Sequence, residues 1–163
     1  MKIRVGMLAV GLWLAGTLAA AAGEQTNAAG KFSIWVPDGW VVKMEGKRLV
    51  GHNPADTLQI LAGPLNDADA DLTDEDVADF VDDELDDMEV ASDKPIKRAG
   101  FNARALEGTG SDEDDDVTFR AIAIDPGAKN AVIEALVYGE DPPWTREQTQ
   151  RLVTRILNSF RPM

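Results

Sequence analysis

Cysteine is absent from these 163 residues and histidine occurs once. The first absence excludes disulfides, thiolate metal centres, iron–sulfur clusters, a cysteine nucleophile and a lipidated N-terminal cysteine. The second excludes every motif that needs two imidazoles. Positive charge is also scarce: 16 Lys+Arg stand against 29 Asp+Glu, a formal net charge of -13. That balance argues against a nucleic-acid partner, whose recognition rests on Lys and Arg neutralising phosphates. Long apolar runs are missing everywhere except at the N-terminus. There Lys2 and Arg4 precede an apolar stretch over 5–18, followed by Ala19-Ala20-Ala21-Ala22-Gly23. The stretch is shorter than the roughly 20 residues that span a bilayer, and Ala20 and Ala22 satisfy the small-residue rule for cleavage before Gly23. The sequence therefore predicts a signal peptide over 1–22 and an exported chain, periplasmic or extracellular, with no membrane span after cleavage. Losing Lys2 and Arg4 leaves 14 basic and 29 acidic residues, a formal charge of -15.

The remaining length suits one domain. Residues 23–30 are small and polar without a period, which predicts a flexible leader, and 31–162 form the domain. Phe32-Ser33-Ile34-Trp35-Val36 alternates and ends in the turn residues Pro37-Asp38-Gly39. Short strands follow over 40–44, 48–52 and 57–62, which predicts a meander. The period then changes. Val77, Phe80, Val81, Leu85 and Met88 recur at helical spacing behind Thr73, a candidate N-cap, so a helix is expected over 74–88. Strands are expected over 103–107, 117–124 and 131–138, with 108–116 as an exposed turn. Thr145 and Gln148 have the spacing of a capping box, and Leu152, Val153, Ile156, Leu157 and Phe160 give the closing helix one apolar face. Strand meanders broken by one helix and closed by another define an α+β domain, an antiparallel sheet covered by helices.

Four segments carry a resemblance: the opening Phe32 to Trp40, the acid-capped Leu72-Thr73-Asp74-Glu75, the strand start from Gly100 to Ala105, and the closing Ile156-Leu157-Asn158-Ser159-Phe160-Arg161. Together they resemble the PsbP-like superfamily of α/β/α sandwiches over 31–162. The resemblance implies a bacterial exported member acting as a non-catalytic binding scaffold, with no catalytic residue or cofactor to carry over. The chain departs from many bacterial relatives in lacking a lipid-anchor cysteine, and its middle helix is unusually acidic.

That acidity is the strongest feature of the sequence. Between Asp67 and Glu89 lie thirteen acids, and no Lys or Arg occurs between Arg48 and Lys94. Asp67, Asp69 and Asp71 imitate the start of a calcium loop. However, Leu72 stands where the turn needs glycine, and Ala78 where a bidentate glutamate belongs. A low-affinity divalent-cation binder is thus the second reading, behind a solvated helix face or docking surface. A further acid run spans 112–116. His52, the one possible imidazole base, has four serines available after cleavage, Ser33, Ser92, Ser111 and Ser159, none in a nucleophile elbow. A carboxylate-dependent hydrolase is the third reading. Trp35, Trp40 and Trp144 are candidates for lining a partner groove, Trp40 and Trp144 being singled out as its site, with core or edge packing as the competing role. Asp79, Asp83 and Asp86 are expected on the outer face of the acidic helix, where they would meet a protein or peptide partner, one of cationic character by charge complementarity.

Overall fold

The computed structural model describes residues 23–65, 72–128 and 131–163. Seven antiparallel strands form the main sheet: β3 (Val41–Glu45), β4 (Arg48–His52), β5 (Leu58–Pro64), β9 (Ile133–Glu140), β8 (Asp115–Asp125), β7 (Phe101–Asp112) and β6 (Asp86–Arg98), in that spatial order. A smaller sheet joins β1 (Gly23–Asn27), β2 (Phe32–Val36) and β10 (Arg161–Pro162) in the order β1-β2-β10. Two helices complete the fold, α1 (Asp74–Asp82) and α2 (Glu147–Ser159). The α+β class and antiparallel sheet are as expected, but strands far outweigh helices, so the layers are less balanced than an α/β/α sandwich implies.

Alternation along the strands divides the core in two, because neighbouring side chains on a strand point to opposite faces. Ile133, Ala135 and Val137 of β9 pack with Val153, Ile156 and Leu157 of α2 and with Phe32, Ile34 and Val36 of the small sheet. Leu136, between them, belongs with Leu61, Leu106 and Phe119 under Val77, Phe80 and Val81 of α1. Each large side chain so buried contributes about 1.5–3 kcal/mol.

Four expectations change. The leader is not loose: Gly23–Asn27 pairs with β2 from Gly23↔Val36 to Asn27↔Phe32. The buried Asn27 amide donates to Gly46 O at 3.1 Å and Arg48 O at 3.4 Å, and its Oδ1 accepts from Gly30 N at 2.8 Å, which clips the small sheet to the β3–β4 hairpin. Polar strand residues lack the apolar alternation that reveals a strand.

The helix expected over 74–88 ends at Asp82. Thr73 caps it as expected, accepting from Asp76 N at 3.3 Å. Its last turn has no basic residue, and a run of acids at the negative end of the helix dipole opposes elongation. Backbone from Asp86 onward instead pairs with β7 in a 13-residue edge strand, of which residues 86–88 fall where helix was expected and the rest was not anticipated.

The turn expected over 108–116 shrinks to Glu113 and Asp114, because the β7–β8 ladder continues to Asp112↔Asp115. Glu113 takes a left-handed φ of 57° there. Finally, the capping box does not form: α2 begins at Glu147 with Arg146 as N-cap and no side-chain cap bond. Thr145 instead donates its N–H to Asp141 Oδ1 at 2.9 Å, and the Gln150 amide donates to Trp144 O.

Candidate binding surfaces

Trp40, just after the β2–β3 turn, and Trp144, just before α2, are both buried in the α2-side core, 2% and 4% exposed. They lend no ring to an open groove; packing, the competing role, is what they perform. Among the described residues the partly exposed tryptophan is Trp35. Arg155 of α2 lays its guanidinium 3.7 Å from the centre of that ring, a cation–π stack between residues 120 apart in sequence, which no local pattern reveals. Beside the stack an open cleft of about 720 Å³ runs along α2, lined by Arg120, Arg151, Thr154, Arg155 and Asn158. Arg120 pairs with Glu107 at 3.1 Å and Arg151 with Glu147, so part of this local positive charge is already answered.

The opposite character gathers at the sheet end where β6 starts. Of the three expected helix-face acids, only Asp79 is helical. Asp83 is the C-cap, and Asp86 is the first residue of β6, so they do not share one helix face. All three are exposed. Folding does something the sequence did not suggest: Asp86 pairs with Ser111, which sets the second acid run beside the first. Asp112 is pushed above the usual aspartate range, first by desolvation and then by the charges of Asp115, Asp56 and Asp86, while hydrogen bonding to Tyr138 works the other way. The Tyr138 hydroxyl is held protonated far above its ordinary range by burial and by the fields of Asp112, Glu84 and Asp56. Asp56, Glu84 and Asp112 thus act on Tyr138, and Asp86 and Asp115 act on Asp112, so five acids from three segments of the chain form an acid pole. Sequence reasoning did not place Asp56 beside the two acid runs, since only strand register brings it there.

Asp67, Asp69 and Asp71, the calcium-loop imitation, lie outside the described residues. Among the described residues no group of three His, Cys, Asp or Glu side chains is arranged to hold a metal ion. His52, half-buried at the end of β4, places Nδ1 2.9 Å from Asn53 O and 3.6 Å from Asp56. Ser159 Oγ donates to Ile156 O at 2.6 Å and accepts from Trp35 N at 2.8 Å, and Ser33 Oγ accepts from Arg161 Nε at 3.1 Å. These two hydroxyls are committed to joining α2 and β10 to β2. Among the described residues no helix is long and apolar enough to cross a membrane.

An antiparallel sheet with a helix on each face and a small sheet completing one core is the PsbP-like fold, and solved structures agree. The chain is similar to cyanobacterial PsbP from Synechocystis at 16% identity and TM-score 0.62, over 93% of this chain and 99% of that one. It is similar to a Ran-binding protein of Saccharomyces cerevisiae at 12% identity and TM-score 0.60, over 88% and 96%. It also resembles LpqN, involved in cell envelope biogenesis of Mycobacterium tuberculosis, at 17% identity and TM-score 0.51, over 79% and 81%. No protein-family model and no curated protein matches the chain. The chain therefore has the PsbP-like fold.

Proposed function

We propose that this chain is an exported, non-catalytic binding domain of the cell envelope, and that its acid pole engages a cationic protein or peptide. The observation that carries the reading is the convergence of two acid runs, joined by Asp56, on one exposed end of the sheet. Such a field accelerates encounter with a positively charged partner and is weakened by salt. Export is supported by the charge and apolar pattern of the first 22 residues, which end in the small residues Ala20 and Ala22. The fold is compatible with partner binding, since one similar structure is a Ran-binding protein and another belongs to envelope biogenesis.

The edge strand beside the pole is guarded against pairing with other strands. Bulges interrupt its register between Asp86 and Glu89 and between Val90 and Ser92, Pro95 removes a donor, and charged residues recur along it. Recognition at this pole is accordingly by side-chain charge rather than by strand addition.

The test compares wild type with Asp56→Asn/Asp86→Asn/Asp115→Asn for capture from envelope extract and for association rate across salt concentrations. Capture lost in the variant, with a flattened salt slope, supports the reading. A partner bound equally fast by both proteins at every salt concentration overturns it.

A further inference from the structure

Cross-strand register puts five residues in one row across the α1 face of the sheet. Arg104 of β7 opposes Ala123 of β8, Ala123 opposes Glu134 of β9, and Glu134 opposes Gly63 of β5. Beyond Gly63 lies Arg48 of β4, since Leu49 pairs with Ala62 and a Cβ on Gly63 would meet Arg48 Cγ at 2.9 Å. A buried carboxyl thus stands between two arginines, each one small residue away.

Neither arginine is bonded to it. Glu134 is 0% exposed, and neither of its carboxyl oxygens has a hydrogen-bond partner. Arg104 is held by Asp93 and by Leu72 O at 3.2 Å. Arg48 lies with its guanidinium 5.4 Å from the centre of the Phe80 ring and donates through Nη1 to Glu84 at 3.0 Å. Its Nη2 is buried and unpartnered. These contacts make Arg48 the clamp between the sheet and the C-terminal end of α1.

We propose that Glu134 and Arg48 form a proton-operated latch on α1: neutral Glu134 leaves Arg48 on Glu84 and Phe80, and ionised Glu134 draws Arg48 across Gly63 and releases that end of the helix. Three observations support it. A charged carboxylate cannot remain in this apolar site without a counterion. Strands are about 4.8 Å apart, so two steps place Arg48 about 10 Å away backbone to backbone, within the joint reach of an arginine and a glutamate. Gly63 leaves the path between them free of a side chain. Burial also holds the Glu134 proton well above the usual glutamate range, so the two states are separated in pH. The charged and titratable groups facing this layer among the described residues include Arg48 and Glu84, Arg104 with Asp93, Asp125 diagonally on β8, and Tyr138 with Asp112 further along β9. Arg48 has a buried donor, Nη2, without a hydrogen-bond partner, and an ion pair with Glu84 to leave.

Hydrogen exchange of the Asp83, Glu84 and Leu85 amides, which bond to Asp79 O and Val81 O, reads the latch directly. After correction for intrinsic exchange, wild-type protection should fall at least tenfold as pH rises through the Glu134 titration. Glu134→Gln should keep protection constant over that range, and Arg48→Met should lower it at every pH. Carbon-13 NMR of the Glu134 carboxyl and nitrogen-15 NMR of the Arg48 guanidinium in wild type supply a check that needs no variant to fold; both signals should shift together. Equal pH dependence in wild type and Glu134→Gln, or an Arg48 signal that ignores the Glu134 titration, overturns the proposal.

Discussion

Glu134 makes one side chain a determinant of how stability follows pH. Unfolded, it titrates near its ordinary 4.5; folded, burial holds the proton to a higher pH. Above the ordinary value the native state binds the extra proton, so its contribution is complete below that pH and is lost as pH rises toward the folded value. Glu134→Gln keeps the shape without the titration. The urea midpoint of the variant relative to wild type should therefore climb between acidic and neutral pH, and a constant difference would contradict the burial argument. Asn27 works oppositely, as a buried polar group with its bonds made. Asn27→Ala should cost about 1–3 kcal/mol, measured by urea melts, because Gly46 O, Arg48 O and Gly30 N lose their common partner. Neither role is visible in sequence: Glu134 looks like a surface acid, and Asn27 falls in a segment that reads as a leader.

The two helices behave differently as elements. α2 has the apolar face its spacing predicts, yet its residues are not equivalent: Val153, Ile156 and Leu157 are buried, while Leu152 is only partly covered. Ile156→Ala should destabilise by about 2–5 kcal/mol and Leu152→Ala by distinctly less, and denaturant melts with equal losses would place the helix in a different rotation. α1 was legible at its start, where Thr73 caps, and not at its end. Leu85 and Met88 keep a helical spacing but pack from beyond the helix, Leu85 in the connection and Met88 in β6. A three- and four-residue period marks which residues are buried without fixing the backbone that buries them. The strand ends fare similarly: β7 and β8 extend into the acid run because antiparallel pairing can continue through exposed, charged residues.

For the whole molecule, charge is the dominant property. Exposed like charges repel over distances that salt screens within about 8 Å at physiological ionic strength. Added salt should therefore stabilise wild type more than Asp79→Asn/Asp83→Asn/Asp86→Asn, as read from thermal midpoints. An equal response would mean that these acids are too far apart to interact. Export makes a second prediction: intact mass of the protein recovered outside the cytoplasm should correspond to a chain starting at Gly23. A mass that retains 1–22 would remove the signal-peptide reading. A chain starting at Gly23 keeps the β1–β2 pairs from Gly23↔Val36 to Asn27↔Phe32.

The amino-acid sequence by itself determined the absence of cysteine chemistry and of paired imidazoles, the antiparallel α+β class, the starts of most strands, the cap at Thr73 and the apolar face of α2. These depend on local spacing and residue chemistry, which the chain carries wherever it folds. Tertiary structure alone decided that Trp40 and Trp144 are core, that Trp35 meets Arg155, that two acid runs become one pole, and that Glu134 lies between two arginines. Each of those pairs residues far apart along the chain, and the cause is strand register: a shift of one residue turns every side chain to the other face, and no local pattern records which neighbour a face will find.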